Sequence, residues 1–360
     1  MMSYAQWGNA LYSGEKSYRI VPKRRIFVRA ALAVIVVCAI LIGIFGLNRS
    51  FEFTGGSQFT LTGLSETSQQ PAYDAIQKGN LASEVRVSSV GVDGIRVQTE
   101  SLDSQKTLEV REALASAYKV DAKDVQSASI GPSWGRDVTA KAAQSLVIFL
   151  TLVAVLMAAY FRSWTMSVAA IFALFHDIAT TLGFFAVTRV EVSPATVIGF
   201  LTILGYSLYD TVVVFDKVRE LTKGINDQNR YTYGDMVNLA VNQTMVRSLN
   251  TSIVALLPVG SILVIGSILL GAGTLTDISL ALFVGMIVGT YSSIFIASPL
   301  LVMLEERRSS TKAHDALVAK RREREGRTGD DVRVAPVQPG RRLGNEAQPD
   351  WNWPIRARNT

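Results

Sequence analysis

The sequence predicts an α-helical membrane protein with six transmembrane helices and one small α/β domain between the first and second helices. Hydrophobic residues make up 49% of the 360 positions, and the mean hydropathy is +0.26. These residues gather in six runs, each long enough to cross a bilayer, which takes about 20 residues. One long polar block separates the first run from the second. The runs cover residues 26–47, 142–161, 166–188, 194–215, 251–270 and 278–304.

The first run is predicted to be an uncleaved membrane anchor. Residues 1–25 form a short cytoplasmic segment before it, and transmembrane helix 1 covers residues 26–47. The run is too long for a removed signal peptide and has no clear small-residue cleavage site. It contains Cys38, the one cysteine of the chain, which therefore has no partner for an internal disulfide.

The polar block at residues 50–139 carries the patterning of a folded domain. "FEFTGGSQFTL", "SEVRVSSVG", "GIRVQTE" and "DVQSASIG" are typical of strands, whereas "PAYDAIQKGN" and "SQKTLEVREALASAYK" are typical of helices. The resulting order βαββαβ is the ferredoxin-like arrangement. Gly55 and Gly56 stand where this domain leaves the membrane, and they favour either a tight turn or a hinge.

The distribution of Lys and Arg predicts the orientation. By the positive-inside rule both termini are cytoplasmic, and the block at 50–139 is extracytoplasmic. The loops of opposite parity are poor in basic residues, with Arg189 beside Glu191. The basic residues on the predicted inner side are Lys23, Arg24, Arg25, Arg29, Arg162, Lys217, Arg219, Lys223, Arg230, Arg307 and Arg308.

The last segment, residues 305–360, is predicted to be a basic, disordered cytoplasmic tail. It is rich in charged residues, Gly and Pro and has few residues for a core. Its basic start is more typical of a solvated flank than of a contact with anionic lipid or the ribosome.

Several kinds of chemistry are excluded by the residues themselves. The block at 50–139 has neither His nor Cys, and the chain has two histidines, His176 and His314. A zinc site or a His-dependent nucleophile outside the membrane is therefore not expected. Because no phosphate-binding or dinucleotide fingerprint is present, we expect no ATP site, no cofactor, no metal and no enzymatic activity.

A carboxylate in the fourth run is the leading candidate for a functional group. Thr202, Tyr206 and Asp210 follow one another at i, i+4 spacing and form a polar stripe, which Ser207 borders. A charged residue at the centre of a membrane span costs about 2.5–3.5 kcal/mol on insertion scales. We therefore expect Asp210 to be neutralised by a proton, by Arg247, or by both in turn.

Two further polar groups lie within the apolar runs. Arg247, Asn250 and Thr251 form a stripe that could face Asp210, although an arginine near a helix end can also snorkel to the interface. His176 and Asp177 are adjacent in the third run. They suit either a proton path or a hydrogen-bonded contact between helices, and the sequence leaves both open.

Small residues in the sixth run predict close helix packing. Gly285, Gly289 and Ser293 recur at four-residue spacing. This small-xxx-small pattern lets helix backbones approach one another.

Several stretches together resemble the SecF subunits of bacterial SecD–SecF protein-export complexes. They are "FEFTGGSQF", "IGPSWGRDV", "FHDIATTLGFFAVT", "GYSLYDTVVVFDKVRE", "VRSLNTS" and "GTYSSIFIASP". The resemblance covers residues 25–304, with six spans in the same order. It implies one half of a pump similar to the RND transporters, with the exterior domain between helices 1 and 2.

The resemblance implies a function and a set of partners. Family members pair with SecD, associate with the SecYEG translocon, and draw preproteins outward after the ATP-driven step by using proton motive force. Protons are then the coupling ion, and the location is the bacterial cell membrane. YajC and membrane lipids are further implied contacts, and nucleic acid is not. Asp210 and Arg247 fall on the family's essential carboxylate and arginine, and His176-Asp177 falls on a family His-Asp pair.

The sequence departs from the family in two places. Tyr209 stands where the family usually has Asn, and Leu221 follows Arg219-Glu220 where the family often has Asn. These departures put in doubt a polar contact beside Asp210 and the shape of the following turn. Neither removes a titrating group.

Three alternative functions remain at this point. One is an RND-like exporter of small molecules or lipids, and another is a structural translocon subunit that uses no protons. The third is an intramembrane hydrolase that would use Ser207 with His176, although "GYSL" lacks the glycine pattern of a serine nucleophile elbow.

Overall fold

The computed structural model describes residues 3–266 and 273–326 of the chain. Within these residues six helices are long and apolar enough to span a membrane, and a small antiparallel sheet accompanies them. The predicted fold class is therefore confirmed, while the side of the membrane on which the sheet lies stays a prediction. In chain order the elements are α1 (Tyr4–Tyr12), α2 (Arg24–Phe45), α3 (Phe51–Thr54), β1 (Gly56–Leu61), α4 (Gln70–Lys78), β2 (Val85–Val90), β3 (Gly94–Thr99), α5 (Ser104–Tyr118), β4 (Gln126–Ile130), α6 (Pro132–Phe161), α7 (Trp164–Thr188), α8 (Pro194–Thr222), α9 (Tyr233–Val264), α10 (Gly273–Ser292), a π-helical turn (Ser293–Ala297), α11 (Ser298–Glu305) and α12 (Ser309–Arg324).

The sheet packs one face against two helices and touches the membrane bundle with the other. Its strand order is β2-β3-β1-β4, and every neighbouring pair is antiparallel. Ile95 and Val97 of β3 are fully buried in a core with residues of α4 and α5. Because side chains alternate along a strand, Arg96 and Gln98 point the opposite way. There they contact Glu191 in the loop between α7 and α8, at one end of the bundle.

Three helices form the centre of the membrane bundle. The most apolar windows of the spans that contain α7, α8 and α10 are 50%, 44% and 50% buried, against 17%, 11% and 11% for those of α2, α6 and α9. Glycines allow α8 and α10 to approach closely. A Cβ on Gly285 would lie 2.2 Å from Ile203 Cδ1, and one on Gly289 would lie 2.9 Å from Ser207 Cβ.

Helix α9 begins at Tyr233, well before the predicted start of the fifth span at residue 251. Amides in its first half lower the hydropathy there, but they bind the N-terminal segment. Asn238 Oδ1 accepts hydrogen bonds from the backbone N–H groups of Ile20 and Val21, both at 3.1 Å. Asn242 Oδ1 accepts one from Tyr18 N at 2.7 Å. The predicted cytoplasmic segment 1–25 is thus partly ordered, and α1 packs beside α9.

Helix α6 begins at Pro132, inside the block predicted as an exterior domain at 50–139. Proline suits the first turn of a helix, where its missing N–H is not needed. The helix then runs to Phe161 without interruption, so the domain and the membrane bundle share one helix. Helix α3 packs against it closely, and a Cβ on Gly135 would lie 2.5 Å from the Phe53 carbonyl oxygen.

The start of the predicted disordered tail is instead a docked helix. In α12, Val318 is fully buried and His314 is 5% exposed. Arg322 pairs with Asp235 of α9 at 2.5 Å, and Asp315 Oδ1 accepts a hydrogen bond from Tyr233 N at 3.1 Å. The composition predicted disorder because the segment has few apolar residues. In the structure, its few apolar contacts combine with specific hydrogen bonds and an ion pair to hold the helix in place. Residues 327–360 of the predicted tail lie outside the described residues.

We expect Gly285→Ala to lower the thermal unfolding midpoint in detergent. Alanine in a helix is normally favoured over glycine by about 1 kcal/mol. Overpacking of a close contact costs about 1–3 kcal/mol, which outweighs that gain. Gly205→Ala on α8 is the control, because a Cβ there meets nothing within 4 Å among the described residues. An equal or higher midpoint for Gly285→Ala would contradict the close packing.

We expect Val318→Asp to release α12 and to speed tryptic cleavage at the basic residues near its end. The substitution would bury an unpaired charge, which the docked helix cannot accommodate. Leu317→Asp is the matched control, because Leu317 is 59% exposed. Time courses of limited proteolysis on the purified full chain measure the difference, and equal rates for the two variants would count against the docked helix.

Candidate functional site

Asp210 is buried at the contact between α8 and the π-helical turn. Asp210 is 6% exposed. Ser293 Oγ donates a short hydrogen bond to Asp210 Oδ2 and also lies 3.1 Å from the carbonyl oxygen of Thr290. The buried hydroxyl of Ser248 lies close to the same carboxylate but makes no hydrogen bond within the described residues. The hydrogen bond that this carboxylate accepts therefore comes from a hydroxyl group, with a second hydroxyl nearby.

Ser293 is the first residue of the π-helical turn, and its contact with Asp210 continues the face that Gly285 and Gly289 of α10 present to α8. Such turns are rare and occur mostly as single widened turns at functional sites. Pro299 follows the turn, and it has no N–H to bond the carbonyl of Phe295 four residues before it. The widened turn alters the direction in which the following residues point. The sequence indicated Ser293 as a packing residue, and its four-residue spacing from Gly285 and Gly289 does direct it to α8. Its hydrogen bond to Asp210 was missed because Arg247 was expected to be the partner.

Asp177 forms a second buried carboxylate site, on α7. Ser207 Oγ donates to Asp177 Oδ2 at 2.6 Å. His176 Nδ1 lies 3.4 Å from Asp177 Oδ1, and His176 and Asp177 are 2% and 1% exposed. The predicted His-Asp pair is thus in contact. Ser207 and Asp210 are three residues apart on α8, so one helix face links the two carboxylates.

This geometry does not give the Ser-His arrangement that a hydrolase needs. The Ser207 hydroxyl donates its hydrogen to Asp177. Among the described residues, His176 contacts Asp177 and Thr180 rather than Ser207. Ser207 therefore acts as a ligand of the carboxylate, and its removal would disturb the buried charge instead of a nucleophile.

The expected ion pair between Asp210 and Arg247 is absent from the described part of the chain. Arg247 is exposed, whereas the neighbouring residues Ser248 and Ser252 are buried. Successive residues are about 100° apart around a helix, so α9 turns its serine face towards α8 and its arginine away. Arg247 still interacts electrostatically with the carboxylate, without a contact between the two in the described residues.

The predicted polar stripes only partly join this site. Tyr206 is half-buried and its hydroxyl donates to Ser252 Oγ at 3.4 Å. Thr202 is exposed, and its hydroxyl donates to the Ile198 carbonyl oxygen of its own helix. The Thr251 hydroxyl likewise donates to the Arg247 carbonyl oxygen of its own helix. Asn250 is exposed and accepts a hydrogen bond from Tyr4 of α1.

Residues that sequence reasoning missed complete the hydroxyl network. Thr290 Oγ1 donates to Ser252 Oγ at 2.6 Å, and Ser252 Oγ donates to the Ser248 carbonyl oxygen at 2.9 Å. These residues connect α10 to α9 beside Asp210. Hydroxyl residues are common in membrane helices, so only the clustering in "GTYSSIFIASP" could have indicated them.

A second polar cluster joins the sheet to the bundle, and we call it the sheet–bundle junction. It contains Arg96, Glu191, Asp277 and Glu52. Arg96 Nη1 lies 3.7 Å from Glu191 Oε2, and Asp277 Oδ2 accepts a hydrogen bond from Ser193 Oγ at 2.8 Å. Burial raises the pKa of Glu52 above its ordinary value, and the nearby Asp277 carboxylate raises it further.

Gly55 and Gly56 lie at this junction, between α3 and β1. Both have positive φ, at 78° and 146°, which glycine adopts without strain. A Cβ on Gly56 would also lie 2.5 Å from the Thr99 carbonyl oxygen. The pair therefore forms a tight, strand-starting turn, and its use as a hinge stays a prediction.

The comparisons with known proteins agree on one family. Residues 109–307 match the family model described as protein export membrane protein SecD/SecF, C-terminal. The chain is similar to the protein translocase subunit SecF of Streptomyces coelicolor, with 40% identity over 91% of this chain and 87% of that protein. It is 37% identical to the SecF subunit of Mycobacterium tuberculosis, over 87% of this chain and 72% of that one.

Two solved structures are also similar. One is the crystal structure of SecDF, described as a translocon-associated membrane protein, from Thermus thermophilus. It matches with a TM-score of 0.73 and 30% identity, over 82% of this chain and 39% of that chain. A SecDF structure in a super-membrane-facing form matches with a TM-score of 0.60.

We expect Glu52→Gln to stabilise the protein near neutral pH and to lose this effect in acid. A carboxyl whose folded-state pKa is raised contributes stability below its unfolded pKa, and that contribution is lost as the pH rises through the folded value. Glutamine removes the cost of ionisation. Thermal unfolding midpoints between about pH 5 and pH 8 measure the effect, with Glu112→Gln at an exposed position as the control. A gain that is independent of pH would contradict the raised pKa.

Proposed function

Because the chain belongs to the SecD/SecF family of protein-export membrane proteins, we propose that it uses proton motive force, together with SecD, to promote the export of preproteins. It is a subunit of the Sec protein translocase. In this proposal it acts after the ATP-driven step, with protons as the coupling ion and without a cofactor.

The observation that supports proton use is the burial of Asp210 among hydroxyl groups. A buried carboxylate paired with a fixed cation stays ionised, because both charges depend on each other. Hydroxyl groups can donate to an ionised carboxylate or accept from a protonated one. The surroundings of Asp210 therefore suit both protonation states, as a proton-driven step requires.

The available energy matches such a step. One proton crossing 100 mV releases about 2.3 kcal/mol, and each unit of pH difference adds about 1.36 kcal/mol. Leaving a buried hydrogen-bonding group without its partner costs about 1–3 kcal/mol. One or two protons per cycle are thus enough to bias two arrangements of the bundle.

The arrangement of the helices offers a route from Asp210 to the sheet. Helix α8 begins at Pro194, next to Ser193 in the sheet–bundle junction, and carries Asp210 further along. Helix α6 runs directly from the sheet into the bundle. We infer that repacking of the bundle moves the sheet through these two helices.

The partners and location follow from the family and from the apolar surfaces. The SecDF relatives carry both names in one chain, and this chain covers 36% of the Thermus thermophilus protein, which supports association with a SecD subunit. The outward apolar faces of α2, α6 and α9 suit such a partner together with lipid. We further propose contacts with SecYEG, the preprotein, YajC and membrane lipids. The chain is a multi-pass membrane protein, and we propose the bacterial cell membrane with cytoplasmic termini and an extracytoplasmic sheet.

We expect Asp210→Asn to abolish the stimulation of preprotein transport by a proton gradient. Asparagine keeps the size of the side chain but cannot take up a proton. Transport is measured in vesicles that contain the full complex, with and without an uncoupler. Asp216→Asn is the matched control, because Asp216 lies on the same helix and is exposed.

Two results would contradict the proposal. One is a transport rate that is unchanged when an uncoupler collapses the gradient in wild-type vesicles. The other is an Asp210→Asn variant that responds to the gradient as strongly as Asp216→Asn does.

A further inference from the structure

The hydroxyl of Ser293 has one hydrogen and two acceptors. It lies within hydrogen-bonding distance of the Asp210 carboxylate on α8 and of the Thr290 carbonyl oxygen, 3.1 Å away on its own helix. A serine hydroxyl donates one hydrogen bond at a time and can accept others. The two bonds therefore exclude each other, and the charge of Asp210 decides which is made.

We propose that Ser293 is a positioning residue that couples the protonation state of Asp210 to the helix that contains Ser293. It does so by exchanging its hydrogen bond between Asp210 and the Thr290 carbonyl oxygen. This inference rests on the proposed use of protons. In the ionised state Ser293 donates to Asp210 Oδ2. When a proton binds to Oδ2, the carboxyl O–H donates to Ser293 Oγ, and the Ser293 hydrogen turns to the Thr290 carbonyl. Asp210 gains one proton, and no covalent bond of Ser293 is broken.

The position of Ser293 makes this exchange matter for the backbone. It is the first residue of the π-helical turn Ser293–Ala297. A side-chain hydroxyl that donates to a carbonyl of the preceding turn often bends a helix, so a stronger bond from Ser293 to the Thr290 carbonyl acts at this turn. The exchange thus acts on the joint between α10 and α11, where the helix is least regular.

Thr290 also contacts α9, through its side chain. Its side-chain hydroxyl lies 2.6 Å from Ser252 Oγ and 2.7 Å from the Met286 carbonyl oxygen, again two acceptors for one hydrogen. Ser252 in turn donates to the Ser248 carbonyl oxygen. The chain of hydrogen bonds ends at Ser248, the buried residue of α9 beside Asp210.

The charged and titratable groups around Asp210 are consistent with the proposed hydrogen-bond exchange at Ser293. Helix α9 contributes Arg247 at long range, and α8 contributes the phenol of Tyr206. Helix α7 contributes Asp177 and His176, which are linked to α8 through Ser207. From the π-helical turn the direct contact is Ser293.

The test compares Ser293→Ala and Ser293→Thr with Ser292→Ala in the full chain with its SecD partner. Ser292 is the matched control, because it is equally buried but its hydroxyl bonds the Gly289 carbonyl oxygen of its own helix. Infrared difference spectra after a pH step report the carboxyl C=O stretch of protonated Asp210, which is assigned by its loss in Asp210→Asn. Gradient-dependent preprotein transport is measured in the same preparations.

We expect Ser293→Ala to shift the carboxyl band to higher frequency, because the protonated acid loses its acceptor. We also expect it to lower gradient-dependent transport about tenfold, the factor that corresponds to about 1.4 kcal/mol. Ser293→Thr keeps the hydroxyl and should restore both, and Ser292→Ala should alter neither. A Ser293→Ala band and rate equal to those of Ser292→Ala would overturn the inference alone. If the wild type shows no Asp210-dependent band, the proposed proton use itself fails, and the inference fails with it.

Discussion

The requirement to solvate a carboxylate inside an apolar bundle shapes this molecule. Asp177 and Asp210 are almost completely enclosed, and each is met by a serine from a neighbouring helix. A buried carboxylate without donors would cost several kcal/mol. Serine hydroxyls are short, so they reach a carboxylate on another helix only if the two backbones are close. Glycine at positions 285 and 289 provides that closeness between α8 and α10, and the packing of the bundle is thereby tied to its chemistry.

The same two helices connect the ends of the bundle. Helix α10 contributes Asp277 to the sheet–bundle junction near its start, and the π-helical turn that follows it contributes Ser293 to the Asp210 site. Helix α8 starts beside Ser193 and carries Asp210. Because helices transmit displacement along their axes with little loss, a change at the buried carboxylate has a direct path to the sheet.

Much of the architecture was predictable because it depends on hydropathy and local pattern. Long apolar runs indicated the spans, strand alternation indicated the sheet, and the burial of Asp210 followed from its place in a span. The partner of Asp210 was not predictable in the same way. Spacing placed Arg247 on the inner side but could not give the rotation of α9, which directs Ser248 inwards instead. Ser293 lay on the predicted packing face, but a pattern of small residues does not distinguish a hydroxyl donor from a packing contact.

The N-terminal segment has a consequence for the order of assembly. Its backbone is bound by Asn238 and Asn242, which lie more than 200 residues later in the chain, with sequence separations of 218 and 224. Contacts so distant in sequence form late, because the chain must close a very long loop first. During synthesis the first 20 or so residues leave the ribosome long before α9 exists. Their docking therefore marks a chain that has been synthesised through α9, and a truncated product that stops before α9 would leave its aromatic N-terminal helix unpaired and recognisable to quality-control proteases.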